Sequence, residues 1–190
     1  MSNSQEDLRL IALAEFASAG YAGTSLQRIA ELAGLSKSSV LYHYASKEAL
    51  LKAAISPAID RMIRLLKPFE KAGLGADRRL FLEGFVDILL EHRLEVNLFI
   101  NQGPSLVDVP VVDRANALVL RLAQFFALNS ASLEEKMRFG IALGGAAYML
   151  CTIHTLDIVE SAPAEEMRPV LITILGELLE PVGISTGTEG

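Results

Sequence analysis

The sequence predicts an all-α fold, a small three-helix head followed by a larger helical bundle of about nine helices in total. Three observations carry this. Apolar residues make up 51% of the 190 residues, mean hydropathy is +0.36, and they recur at three- and four-residue intervals. Dense Gly/Pro punctuation of the kind that separates short strands is missing. The stretch Thr24 to Lys52 holds two short helical patterns with a glycine between them and the start of a third. A helix pair joined by a tight glycine turn is the shape that sets one helix into a DNA major groove.

The formal net charge is −6. Residues 1–52 balance Arg9, Arg28, Lys37, Lys47 and Lys52 against Glu6, Asp7, Glu15, Glu31 and Glu48, so the excess negative charge lies downstream. Nucleic-acid contact must therefore come from a local patch on a neutral head. Cys151 is the sole cysteine, which excludes an internal disulfide and suits a cytoplasmic location. The start, MSNSQEDL, is polar and acidic and does not read as a signal peptide. The longest apolar run, Phe139 to Val159, contains His154, Asp157, two threonines and three glycines. It reads as a buried helix, with no membrane span.

The first helix is expected over Asp7 to Ala19, with Leu8, Ile11, Ala12, Phe16 and Ala19 inward and Gly20 at its end. Thr24 and Gln27 have capping-box spacing for a second helix reaching about Ala33, with Leu26, Ile29, Ala30 and Ala33 as its inner face. Gly34 can take the positive φ of the turn, and Leu35 plugs the core beneath it. Ser36 caps a third helix ending near Tyr44. Val40 and Tyr44 point inward, four residues apart. Lys37, Ser38, Ser39, Tyr42 and His43 remain for the outer face. A lysine, hydroxyls, a phenol and an imidazole suit phosphate oxygens and base edges. Ser46 caps the fourth helix, with Lys47 in its first turn.

Residues 24–52 resemble the helix-turn-helix of the tetracycline-repressor (TetR) family of bacterial transcription regulators. The resemblance is carried by Thr24-Ser25-Leu26, Ile29-Ala30, Ala33-Gly34-Leu35-Ser36-Lys37, Tyr42-His43-Tyr44 and Ser46-Lys47-Glu48-Ala49-Leu50. The upstream Phe16 to Tyr21 also fits. The resemblance implies that Ser25, Arg28, Ser36, Lys37, Ser38, Ser39, Tyr42, His43 and Lys47 touch DNA. It also implies a homodimer built from the last two helices. Three departures stand out. The family's usual Gly-Thr is Ser38-Ser39, its first aromatic is Leu41, and its usual phenylalanine is Tyr44, whose hydroxyl needs a partner. Leucine cannot donate a hydrogen bond to a phosphate.

The fourth helix is expected from Lys47 to about Leu66, with a kink near Ala53 to Pro57 or two helices meeting there. Pro68, Gly73 and Gly75 punctuate the next connection. Helix five, about Asp77 to His92, turns Leu80, Phe81, Phe85, Ile88 and Leu89 inward. Helix six spans about Leu94 to Gln102. Helix seven starts at Pro110 and reaches about Leu128. Ser132 and Glu135 form a second capping box, opening helix eight to about Val159. Helix nine runs from about Pro163 to Leu179. The tail after Pro181 reads as disordered. Gly140, Gly144 and Gly145 would let another helix approach helix eight closely.

No metal-ligand spacing, G-x-S-x-G serine or phosphate-binding glycine loop appears, so no catalytic residue, metal or cofactor is expected. His154 and Asp157, three apart, read as a polar pair in a pocket or interface. Asn97, Asn101 and Gln102 are either a solvated face or polar groups in an apolar pocket. In the second reading Asn101 and Gln102 meet Phe85, Leu89, Phe125, Phe126, Tyr148 and Cys151. The expectation is a DNA-binding head, residues 1–52, on a ligand-binding and dimerisation body, residues 53–190. The head would bind a pseudo-palindromic DNA operator and a small, mainly apolar effector would release it. The alternatives are a regulator without such an effector and a helical ligand-binding or scaffolding protein whose head no longer binds DNA.

Overall fold

The computed structural model describes residues 3–73, 77–106, 109–156 and 162–180. Among these, nine α-helices and one short 3-10 turn form the fold. The head comprises α1 (Asn3–Ala19), α2 (Leu26–Leu32) and α3 (Lys37–His43). Then follow α4 (Lys47–Ala72), α5 (Arg78–Glu91), α6 (Arg93–Gln102), the turn Gly103–Leu106, α7 (Pro110–Leu128), α8 (Leu133–Leu156) and α9 (Ala164–Leu178). Residues 157–161 and the tail from 181 lie outside the described residues, and so does the expected pairing of the His154 and Asp157 side chains.

The head closes on Leu8, Ala12, Phe16, Ile29, Ala30, Val40 and Leu50, all fully buried. Leu13 joins them, whereas Ala19 is exposed and Leu35 only half-buried. Helix α2 ends in a complete Schellman motif. Gly34 takes φ +65°, the Leu35 N–H reaches the Ala30 carbonyl at 2.8 Å, and the Gly34 N–H reaches Glu31 at 3.1 Å. The Tyr44 hydroxyl finds the partner its chemistry requires, the carbonyl of Gln5 at 3.2 Å.

Helix α4 carries the head into the body. It buries Leu50, Leu51, Ala54, Ile55, Ile59, Met62, Leu66 and Phe69 at helical spacing. It runs unbroken through Pro57, so two separate helices do not form. Proline removes one N–H and crowds the carbonyl four residues back. Beside that gap, the Arg9 Nη1 of α1 donates to the Ala54 carbonyl at 3.2 Å. Contrary to expectation, Pro68 does not end the helix. It lies on the exposed side, where water can serve the carbonyl it leaves unpaired, and α4 continues to Gly73, whose φ is +76°.

The body core is an aromatic chain across four helices. Phe69 meets Phe81 edge-on at 5.4 Å, Phe81 meets Phe126 at 5.3 Å, and Phe126 stacks on Phe139 at 4.6 Å. Such pairs add to the apolar area they bury. In α5 the inward expectation fails at Leu80, which is 54% exposed, while Leu82 and Val86 are buried. The neighbour on that side is α9, and the buried stripe rotates toward it. The α5–α9 contact is tied by Arg168 Nε on Asp87 Oδ1 at 2.6 Å, which holds the Asp87 carboxyl below its usual range. Ion pairs Asp60–Arg114 and Glu70–Arg121 join α4 to α7. Among the described residues no helix is long and apolar enough to cross a membrane.

A Cβ added at Gly34 meets nothing within 4 Å, so its cost there is conformational alone. Gly34→Ala should destabilise the chain by about 1 kcal/mol and Gly34→Asn by less, because asparagine tolerates the left-handed region. Denaturant midpoints at unchanged slope are the measurement, and equal midpoints for all three chains would overturn it.

Candidate nucleic-acid interface

Two serines start the two short helices. Ser25, not Thr24, caps α2: its side chain accepts from the Arg28 N–H at 3.1 Å. Thr24 is buried instead, its hydroxyl donating to the Gly20 carbonyl at 2.7 Å. The expected Thr24–Gln27 capping box therefore does not form, because the chain leaves its turn one residue later. Gln27 pairs with Glu31 at 3.0 Å. Ser36 caps α3 as expected, accepting from the Ser39 N–H at 3.1 Å. Its hydroxyl also lies 3.0 Å from that of Ser38 and 2.8 Å from that of Ser39.

With Val40 and Tyr44 facing inward, α3 turns Lys37, Ser38, Leu41 and Tyr42 outward. Tyr42 is 87% exposed. His43 is half-buried, with its ring edge-on to Tyr42 at 5.4 Å. Arg28 is exposed on α2 and pairs with Glu15 at 3.3 Å. This surface offers an ammonium, a guanidinium, hydroxyls and a phenol, all donors suited to phosphates or base acceptors. Leu41, 41% exposed, adds an apolar spot among them.

Lys47 is placed elsewhere. Its Nζ donates to the Tyr21 carbonyl at 2.7 Å and the Thr24 carbonyl at 2.8 Å, and it sits 4.2 Å from the centre of the Tyr21 ring. Desolvation lowers its pKa. It ties down the connection between α1 and α2. Nothing in local sequence signals this, since both carbonyls lie more than twenty positions upstream.

Of the residues expected to line an effector pocket, some are buried in the body core and others are exposed. Phe85 and Phe125 belong to the packed aromatic core, 6.1 Å and 6.5 Å from Phe81. Leu89 is buried beside them in α5. Tyr148 is 55% exposed and Asn101 is exposed. Cys151 is buried, which pushes its thiol up to about 11. Gln102 reaches into the head. Asn97 donates to the Cys151 carbonyl at 2.9 Å, tying α6 to α8. Two surface concavities, of about 540 and 410 Å³, are lined by none of the expected residues. The larger is apolar and involves Leu133, Met137, Ile141 and Leu178. Among the described residues no group of three or more His, Cys, Asp or Glu is placed to hold a metal ion.

Residues 11–54 match the family model described as bacterial regulatory proteins, tetR family. Over 119 residues the chain is 36% identical to the HTH-type transcriptional regulator RutR of Escherichia coli K12, covering 57% of this chain and 56% of that protein. The chain thus spans little more than half the length of the curated relatives it matches. Among solved structures it resembles SCO3833, a TetR-family member from Streptomyces coelicolor, with a TM-score of 0.68 at 21% identity, covering 93% and 90% of the two chains. It also resembles the ketosteroid regulator KstR2 of Mycobacterium tuberculosis, with a TM-score of 0.67 at 14% identity over 92% and 94%. AibR, solved with isovaleryl coenzyme A and operator DNA, gives 0.62 at 16% identity over 95% and 100%. These likenesses extend the shared fold well beyond the matched head. Residues 11–54 thus match the tetR family of bacterial regulatory proteins, and the described fold as a whole resembles that of TetR-family members.

Proposed function

We propose that the chain is a transcriptional repressor that binds a pseudo-palindromic operator as a homodimer and is released by a small, mainly apolar effector. The observation that carries the DNA-binding part is α3 itself: its inner side is locked by Val40 and Tyr44 while Lys37, Ser38 and Tyr42 stand clear of the fold. RutR is an HTH-type transcriptional regulator, and AibR was solved with operator DNA, which supports the same reading here.

The dimer part rests on the outer face of α8 and α9. Met137, Ile141, Tyr148, Val170, Ile174 and Leu178 are exposed there. A Cβ built on Gly140, Gly144, Gly145 or Gly176 meets nothing within 4 Å. Packing within the chain therefore does not require these glycines, whereas a partner helix approaching closely would use them. A two-fold pair of heads reads two half-sites about one DNA turn, roughly 34–36 Å, apart. A second reading, the same dimeric DNA reader without a small effector, is favoured by the close packing of Phe85 and Phe125 in the core.

Lys37→Ala should weaken binding on all DNA sequences to a similar degree and reduce the salt slope by about 1 per protomer. A mobility shift on the chain's own promoter region at several salt concentrations reads this, and a wild-type protein without sequence preference at any salt would end the repressor reading. Ile141→Glu should weaken self-association roughly a hundredfold, about 3 kcal/mol, by placing an unpaired charge in the interface. Sedimentation velocity checks it. A wild-type monomer at micromolar concentration, or an unaffected variant dimer, would count against this face. Thermal shift against a library of small apolar molecules separates effector from no effector, since a ligand of the native state raises stability.

A further inference from the structure

Two helices of the head end in the same sequence device, a glycine of positive φ followed by a large residue, Gly20-Tyr21 after α1 and Gly34-Leu35 after α2. In a Schellman motif the N–H of that following residue bonds the carbonyl five positions earlier. Helix α2 closes this way by itself, Leu35 to Ala30 at 2.8 Å. Helix α1 does not. The equivalent groups are the Tyr21 N–H and the Phe16 carbonyl, and the side-chain amide of Gln102 stands between them. Its Oε1 accepts from the Tyr21 N–H at 2.8 Å, and its Nε2 donates to the Phe16 carbonyl at 2.8 Å. The amide packs against Gly20, where a Cβ would be in ordinary contact at 3.5 Å from Oε1, so it is the φ of +82° that calls for glycine. Gln102 is the last residue of α6, a body helix.

We infer that Gln102 is a positioning residue that locks the orientation of the head on the body by completing the C-terminal cap of α1. The cap has two closed forms. In one, Gln102 bridges it and α1 is tied to α6. In the other, Tyr21 N–H bonds Phe16 directly, as α2 does, and the tie is gone. No buried backbone group is left unpaired in either, so the cost of switching is small compared with losing a bond outright. Near the start of α6, Glu95 is buried and paired with His92 at 2.9 Å; Arg9 of α1 is held charged first by its partner Glu6, with the Glu95 carboxylate adding to it. Helices α1 and α6 pack against each other, with Gln102 at the end of α6 bonded to Phe16 and Tyr21. Asn97 holds the same helix to α8. Body movements that shift α6 along α1 would therefore withdraw the amide. The functional consequence rests on the DNA-binding reading proposed above; the lock itself does not.

The test uses the full chain with spin labels at Ser38→Cys and Gln124→Cys, both exposed positions, diluted with unlabelled chain; buried Cys151 stays in place. Pulsed electron resonance should give one narrow head-to-body distance for the otherwise wild-type chain. Gln102→Met, which keeps volume and loses both bonds, should broaden it or add a second distance while the thermal midpoint falls by only a few degrees. Gln102→Glu, which keeps the acceptor for Tyr21 and loses the donor, should fall between and serves if the methionine variant does not fold. In a second arm, unlabelled proteins select binding sites from random DNA. Gln102→Met should keep the half-site sequence but discriminate between spacer lengths at least tenfold less than wild type. An unchanged distance distribution in both variants would overturn the lock. A changed distribution, with no DNA selected by wild type, would leave the lock standing and remove the DNA-binding reading.

Discussion

Helix ends leave backbone groups that must be paired, and in this chain the end of α1 is where that requirement shapes most of the head. Three side chains converge on residues 16–24. Thr24 turns inward to the Gly20 carbonyl, Lys47 of α4 covers the carbonyls of Tyr21 and Thr24, and Gln102 of α6 bridges Tyr21 and Phe16. The angle at which α2 leaves α1 is set by these contacts, and α3 follows from α2 through the self-closed turn at Gly34. The outward face of α3 is thus positioned by polar contacts made at the end of α1.

The body is built on a different principle. Its centre is an aromatic chain from Phe69 to Phe139 that joins α4, α5, α7 and α8, with the Arg78 guanidinium over its Phe139 end. Close packing of this kind transmits displacement of one helix to the next. Polar ties occur at its margins, where Arg168 meets Asp87 and Asn97 meets the Cys151 carbonyl. The connection to the head runs through α4, whose interrupted carbonyl row at Pro57 lies beside Arg9, and through α6.

Local chemistry was readable from sequence where a residue acts within about five positions of itself. Ser36, Ser46 and Ser132 cap the helices they precede, Gly20 and Gly34 take positive φ, and Pro110 opens α7. At Thr24 and Ser25 two adjacent hydroxyls could both cap, and only the tertiary turn decides between them. Leu80 and Leu82 differ by two positions on one helix, and the choice of buried side depends on where α9 lies. Pro68 looks like a terminator until its exposed position is known. The family resemblance puts Lys47 among the DNA contacts, and residue type leaves Gln102 on a solvated face or in an apolar pocket. Each instead serves carbonyl and N–H groups 23 to 86 positions away. Periodicity carries no information about such pairings.

The place of Lys47 has a consequence for how such a protein would share a chromosome with other binders. Between residues 24 and 44 the side-chain cations are Arg28 and Lys37, and Arg28 already faces Glu15. Non-specific attachment to DNA comes almost entirely from released counterions, in proportion to the phosphates neutralised. A recognition segment with so few free cations would hold random DNA weakly. Fewer copies would be detained on the vast excess of wrong sites, and occupancy of the right one would depend on hydrogen bonds and shape more than on charge. The lysine given up to the fold would thus be traded for a larger pool of free regulator at low copy number.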